Sequence, residues 1–298
     1  MSNTKPFLKW AGGKTQLIPE ISKLIPFSNS DKFNYIEPFV GSGAMLFYVI
    51  NNYPKLDQII INDINSDLIN TYKHIATSIE EIISLLKTWE TEYKSFKENP
   101  ENKNNYYYSK RDEYNSEPTE TLLKSSLLIF LNKTCFNGLY RVNKDNKFNV
   151  PIGNYANPTI CNEDNLRAVN KSLKKVQILN IDFENTLQFA KYPTLFYMDP
   201  PYKPLNKTSH FKSYSTNVFD DKEQLRLKLF CDKLHKFNHQ WILSNSDPKN
   251  EHLEDEFFDN LYENYLIKRV QAKRAINSKA SKRGTLTELL ITNGDING

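Results

Sequence analysis

The tightest constraint on the fold lies between residues 35 and 63. Tyr35-Ile36-Glu37-Pro38-Phe39 reads as a short strand and runs into the turn Gly41-Ser42-Gly43. Ala44 to Ile50 follows as a helix. Gln58-Ile59-Ile60-Ile61-Asn62 is a continuous apolar run, as in a parallel strand buried on both faces, and it is closed by Asp63. Strand, glycine turn, helix, strand and terminal acid make one βαβ unit. Glycines in the turn let the backbone approach a ligand closely, and a carboxylate about twenty residues on suits ribose hydroxyls. Gly41, Gly43 and Asp63 therefore predict an adenosine-containing ligand beside a Rossmann-like sheet edge. A tight turn with a solvated Asp fits the same residues, because Leu46 stands where the dinucleotide fingerprint has its third glycine.

The α/β pattern resumes later in the chain. Strands are expected at Val176–Ile181, Thr194–Met198, Gln240–Ser244, Tyr265–Val270 and Leu286–Thr292. Asp221 to Phe237 reads as a helix, with Leu225, Leu227, Leu229, Phe230 and Leu234 as its apolar residues. Lys14 to Leu24, Ser66 to about Lys97, and Glu120 to Leu131 also have helical spacing. Glu98 to Pro118 is rich in Asn, Glu, Lys and Tyr and reads as a surface connection; Thr134 to Tyr155 mixes Asn, Gly, aromatic and basic residues without a sustained period. The expected organisation is a catalytic and cofactor-binding domain from residues 1–65 and 159–298, interrupted by a smaller, mainly helical domain at 66–158.

The motif richest in chemistry is Asp199-Pro200-Pro201-Tyr202, directly after the apolar strand Leu195-Phe196-Tyr197-Met198. In open α/β sheets ligands sit at the carboxyl ends of strands, and an ordinary proline turn does not account for an acid there. An exocyclic amine such as adenine N6 is a poor nucleophile, its lone pair being delocalised into the ring. Asp199 can bind one amine hydrogen and the Pro200 carbonyl the other. The two prolines stiffen the turn that aims this carbonyl. Tyr202 offers a face for a base to stack on.

Gly12-Gly13-Lys14-Thr15 resembles the end of a phosphate-binding loop, but Leu8 stands where that motif needs its first glycine. Three cysteines without paired spacing exclude a disulfide framework or a zinc site and suit a reducing cytosol. No run approaches about eighteen apolar residues, so a soluble, cytoplasmic protein is expected. The net charge of +4 hints at a polyanionic partner, and the aromatic fraction of 13% suits a folded chain.

At these residues the chain resembles the DNA adenine methylase (Dam) family, particularly members that methylate GATC. The similarity is carried by Phe7-Leu8-Lys9-Trp10-Ala11-Gly12-Gly13-Lys14, Glu37-Pro38-Phe39-Val40-Gly41-Ser42-Gly43 and Asn62-Asp63-Ile64-Asn65-Ser66-Asp67-Leu68. It continues through Phe136-Asn137-Gly138-Leu139-Tyr140-Arg141, Phe148-Asn149-Val150-Pro151 and the Asp199 motif, in the family's order and over nearly the whole chain.

The resemblance implies that Trp10, Lys14, Phe39, Gly41, Gly43, Asp63, Asp182 and Asp199 bind S-adenosylmethionine. Asp182 would lie near the cofactor adenine; a core role for Trp10 and a helix N-cap role for Asp182 stay open. The insertion would be the target-recognition domain. In it Arg141 would read a guanine, Phe136 act as an aromatic wedge, and Asn137 face the base left unpaired after flipping. Lys9, Leu139 and Pro151 would complete the contacts with DNA. Asn154 stands where an arginine is common in GATC enzymes, which puts one DNA contact in doubt. The basic stretch Lys273 to Arg283 is expected either to hold phosphates or to be a solvated loop.

The expected reaction is therefore direct methyl transfer from S-adenosylmethionine to adenine N6 of a base flipped out of double-stranded DNA, within GATC and without a metal. Asp199, Pro200 and Tyr202 would be its catalytic residues. The acting unit is expected to be a monomer, away from membranes, with a restriction endonuclease as a functional rather than physical partner. A methyltransferase acting on RNA or on a protein amide, a nicotinamide-dependent oxidoreductase, and a DNA-binding regulator without catalysis are the competing readings.

Overall fold

A computed structural model describes residues 3–10, 14–202, 219–273 and 285–294. Seven strands form one sheet: β1 (Phe33–Glu37), β2 (Leu56–Asn62), β3 (Val176–Leu179), β4 (Thr194–Met198), β5 (Gln240–Ser246), β6 (Leu266–Lys273) and β7 (Thr285–Thr292). Their order is β3-β2-β1-β4-β5-β7-β6. The first five run parallel, and β7 runs antiparallel to both its neighbours. The connection direction reverses between β1 and β4, which makes that seam the topological switch point where α/β sheets bind ligands. This is a Rossmann-like α/β core.

β1 and β4 are buried at every position, as central parallel strands covered on both faces must be. One face presents Tyr35, Ile61 and Tyr197 to the larger core; the other presents Ile36, Ile60 and Phe196 to a second core. That second core includes Leu227, Phe230 and Leu234 of α8 (Asp221–Lys236). Leu225 and Leu229 of the same helix are 49% and 51% exposed, so only three of its five expected apolar positions face inward.

The remaining helices are α1 (Ile18–Ser22), α2 (Ala44–Asn52), α3 (Ser66–Thr77), α4 (Ile79–Ser95), α5 (Pro100–Ser116), α6 (Leu122–Thr134), α7 (Glu163–Leu173) and α9 (Phe257–Leu261). Leu127 to Leu131 of α6 are all essentially buried, so this helix is apolar all round and forms the centre of a helical layer. Each of its large side chains contributes about 2 kcal/mol by burial. α3, α4 and α5 pack around it.

The structure corrects several expectations. Glu98 to Pro118 is not a loop: α5 occupies most of it, opened by Pro100 and capped by Asn99, whose Oδ1 accepts the Asn102 amide. The helical stretch from Ser66 divides into α3 and α4 at Ser78. Lys14 to Leu24 is a turn of 3₁₀ helix at Lys14–Gln16 followed by the short α1. Lys268 and Arg269 lie in β6, as the expected strand Tyr265–Val270 has them, and they pair with Glu20, Asp247 and Asp259. Most of the basic stretch from Lys273 to Arg283 lies outside the described residues. Among the described residues no helix is long and apolar enough to cross a membrane.

Candidate active site and nucleic-acid interface

A cavity of about 770 Å³ opens at the carboxyl ends of β1, β2 and β4. It is lined by the glycine turn, Asp63, Asp182 and the Asp199 motif, with Trp10 and Lys14 from the N-terminal segment. That volume suits a ligand of nucleoside size or larger. Gly43 closes the turn at φ +73°, and a Cβ there would lie 2.7 Å from the Tyr72 hydroxyl, so no side chain fits. The Gly41 amide donates to Asp63 Oδ2 at 3.1 Å, and the Asn65 amide donates to Oδ1 at 3.0 Å. The turn and the acid are thereby one unit; Asp63 is not a solvated side chain beside an unrelated loop.

Asp199 follows β4 directly, and its contacts among the described residues fall on one oxygen. The Ser244 hydroxyl donates to Oδ1 at 3.1 Å, and Lys14 Nζ lies 3.2 Å from the same atom. Lys14 also donates to the Tyr202 hydroxyl, stands 4.3 Å from the centre of that ring, and is 3.4 Å from Glu288 Oε2. The Tyr202 hydroxyl donates to Glu288 at 3.1 Å. Burial pushes Asp199 above its ordinary value, with the Lys14 charge opposing. Burial would lower Lys14, but Asp199, Tyr202 and Glu288 outweigh it and keep the amine charged. Glu37 and Asp63 are likewise raised, mainly by burial.

Glu288 was not foreseen. A lone acid inside the apolar strand Leu286–Thr292 was the available signal, and β7 brings it to the lysine. Glu37 also lacked a role; it is buried, and its Oε2 accepts from the Tyr35 hydroxyl at 2.8 Å.

The other expected residues fall in two places. Trp10 stacks on Tyr140, with ring centres 5.0 Å apart, and also lines the cavity. Phe39 lines the far end together with Phe183 and Phe219. Asp182 does act as an N-cap, its Oδ1 accepting the Glu184 amide at 2.9 Å, yet it lines the cavity as well. Gly12 and Gly13 lie outside the described residues.

Lys9 meets the 136–141 loop, away from the acids. Buried Asn132 holds both, accepting the Lys9 amide at 2.8 Å and donating to the carbonyls of Lys9 and Gly138 at 2.7 and 2.9 Å. A Cβ on Gly138 would lie 2.5 Å from Lys9 Cδ, so this approach requires glycine. Phe136 is 50% exposed, and its amide donates to the Pro151 carbonyl. Leu139 is half-buried, and Asn137 adopts φ +57°. Arg141 is exposed, with Nε donating to Asn149 Oδ1 at 2.7 Å and Nη2 to the Asn149 carbonyl at 3.1 Å. Pro151 and Asn154 are exposed. Sequence reasoning missed Asn132 and also Lys133, whose amine is brought down to about 8 by burial and by the neighbouring Lys9.

The sequence profile of the D12 class N6 adenine-specific DNA methyltransferases matches residues 10–276. The chain is 45% identical over 294 residues to the type II methyltransferase M.MjaIII of Methanocaldococcus jannaschii, covering 97% of this chain and 99% of that protein. It is 35% identical over 298 residues to the type II methyltransferase M1.LlaDCHI of Lactococcus lactis, covering 98% and 96%. The DNA adenine methylase of Haemophilus influenzae is 35% identical over 291 residues, covering 97% and 94%.

Proposed function

Because the chain belongs to the D12 class N6 adenine-specific DNA methyltransferases, we propose that it moves a methyl group from S-adenosylmethionine to an adenine turned out of duplex DNA, with GATC as its target. The observation that carries the reading is Asp199: an acid at the β1–β4 switch point, anchored through one oxygen by Ser244 and Lys14, inside a cavity whose volume suits a nucleoside-sized ligand.

The donor set fits a cationic cofactor. Six carboxylates and three basic side chains line the cavity, counted among the described residues. Burying acids beside one another is costly unless positive charge arrives, and a sulfonium with an α-amino group brings it. Asp63 would take the ribose hydroxyls, Gly41 and Gly43 the methionine end with Trp10 beside it, and Phe39 and Asp182 the adenine. When bound, the cofactor supplies an electrophilic methyl group.

The protein's part is to make N6 a nucleophile. Asp199 and the Pro200 carbonyl accept the two amine hydrogens, which favours a pyramidal nitrogen with its lone pair exposed. Tyr202, fixed by Lys14 and Glu288, gives the base a rigid face. The proton shed by the methylated nitrogen passes to the Asp199 carboxylate.

N6 must leave the stack to be reached, so flipping belongs to the reading. Residues 66–158 would act as the recognition domain, with exposed Phe136 filling the vacated space and Asn137 facing the orphan base. Arg141 would read guanine, supported by Lys9, Leu139 and Pro151. The type II names of two relatives lead us to read the mark as protection against a restriction endonuclease.

Transfer of labelled methyl to a GATC duplex, and to the same duplex with its adenine replaced, tests the proposal alongside Asp199→Ala. Label confined to the first duplex and lost in the variant supports it; label in other adenine contexts refutes the GATC assignment. No label in any DNA refutes the whole reading.

A further inference from the structure

The far end of the cavity closes on an ion cluster of which the proposed function uses only Asp182. Arg226 of α8 directs every guanidinium nitrogen at a carboxylate. Nη2 pairs with Asp182 Oδ2, Nε lies 2.7 Å from Glu184 Oε1, and Nη1 lies 3.0 and 2.9 Å from the two oxygens of Glu223. Its Cζ stands 4.4 Å from the centre of the Phe183 ring. Phe183 in turn lies 5.3 Å from Phe39 and 6.3 Å from Phe219, so three rings wall this end. Asp182, Phe183, Glu223 and Arg226 all line the cavity.

We propose that Arg226 is a positioning residue for the cofactor's adenine, setting the orientation of the Asp182 carboxylate that receives the 6-amino group. The proposal rests on the cofactor reading given above. A guanidinium is a planar fork, and a single one here orders three acids and one aromatic face at once. Without it, Glu184 would keep Lys233, 3.1 Å from its Oε2, but Asp182 and Glu223 would lose the cation they share. Asp182 would then keep only the Glu184 amide on Oδ1, a single bond about which its other oxygen can swing. An isolated ion pair as exposed as Arg226 and Asp182 contributes little stability, so the effect falls on ligand geometry rather than on folding. The aromatic wall places a flat ring, and the acid then selects one bearing an amine at its edge.

The test is calorimetric binding of S-adenosylhomocysteine, and of its analogue with hydrogen in place of the 6-amino group, to the wild type, Arg226→Ala and Arg226→Lys. Arg226→Ala should weaken the natural ligand about tenfold and the deaminated one less than about twofold, and Arg226→Lys should restore part of the difference. The KM for cofactor should rise while kcat at saturation and the KM for DNA stay unchanged. Equal losses for both ligands, or no loss for either, would overturn the role of Arg226 while leaving the cofactor reading intact. Failure of the wild type to bind either ligand would overturn the cofactor reading, and this inference with it.

Discussion

Lys14 Nζ lies 3.2 Å from Asp199 Oδ1, a contact that ties the N-terminal segment to the end of β4. Lys14 is 4% exposed, and Glu288 shares it at 3.4 Å. Replacing it with methionine would leave the acids without their counter-ion. Lys14→Met is expected to lower stability by about 3 kcal/mol, read from the urea midpoint with the slope unchanged.

In the proposed reaction Asp199 is the side chain that acts on the amine. Asp199→Ala should lower the single-turnover rate of methyl transfer by about 10³-fold or more, with the fold retained by circular dichroism. A loss under about tenfold would mean that the carboxylate is not the acceptor the reaction depends on.

Acidity should report the same group. Burial raises Asp199, with Lys14 acting against it, and only the ionised carboxylate accepts the amine hydrogen. Activity is therefore lost as pH falls through the raised value, so the acid limb of kcat should lie above the ordinary carboxylate range. In Lys14→Met the opposing charge is gone, and the limb should move to still higher pH. A limb that stays put would separate Lys14 from the titration.

Lys133 gives the opposite dependence for DNA. Its amine, held near 8 beside Lys9, is charged below that pH and neutral above it. If this surface meets phosphates, affinity for duplex should weaken as pH rises through about 8, and Lys133→Met should flatten that slope. The measurement is fluorescence anisotropy of a labelled duplex at fixed ionic strength.

Arg141 reaches outward only as Asn149 holds it, through bonds of 2.7 and 3.1 Å. Arg141→Ala should reduce discrimination against a substituted guanine by about 1–3 kcal/mol in kcat/KM, and Asn149→Ala should give a smaller loss of the same kind. Uniform weakening across all sequences would instead mark both residues as backbone contacts.

The βαβ unit and the Asp199 turn were legible because each is local: an apolar run, a turn that only glycine or proline can make, and an acid at a strand's end. What escaped was set by distant neighbours. α5 buries only Tyr107 and Tyr114, seven residues apart, and it satisfies their hydroxyls on the Val150 carbonyl and on Asp67. Two tyrosines in an Asn-rich stretch carry too little hydrophobic period to announce a helix, although Asn99-Pro100 was a start signal. Leu225 and Leu229 erred the other way, since helical spacing alone does not tell which stripe the sheet covers. Glu288 and Asn132 become informative only once β7 lies beside β5 and the N-terminal segment lies against the end of α6.

Asn132 clamps the chain at Lys9 through both its amide and its carbonyl. Five residues further on, the same chain delivers Lys14 to Asp199. An extended chain covers about 3.5 Å per residue, so the two fixed points can stand no further apart than about 17 Å. The surface that would inspect DNA and the pocket that would modify it thus share one short tether.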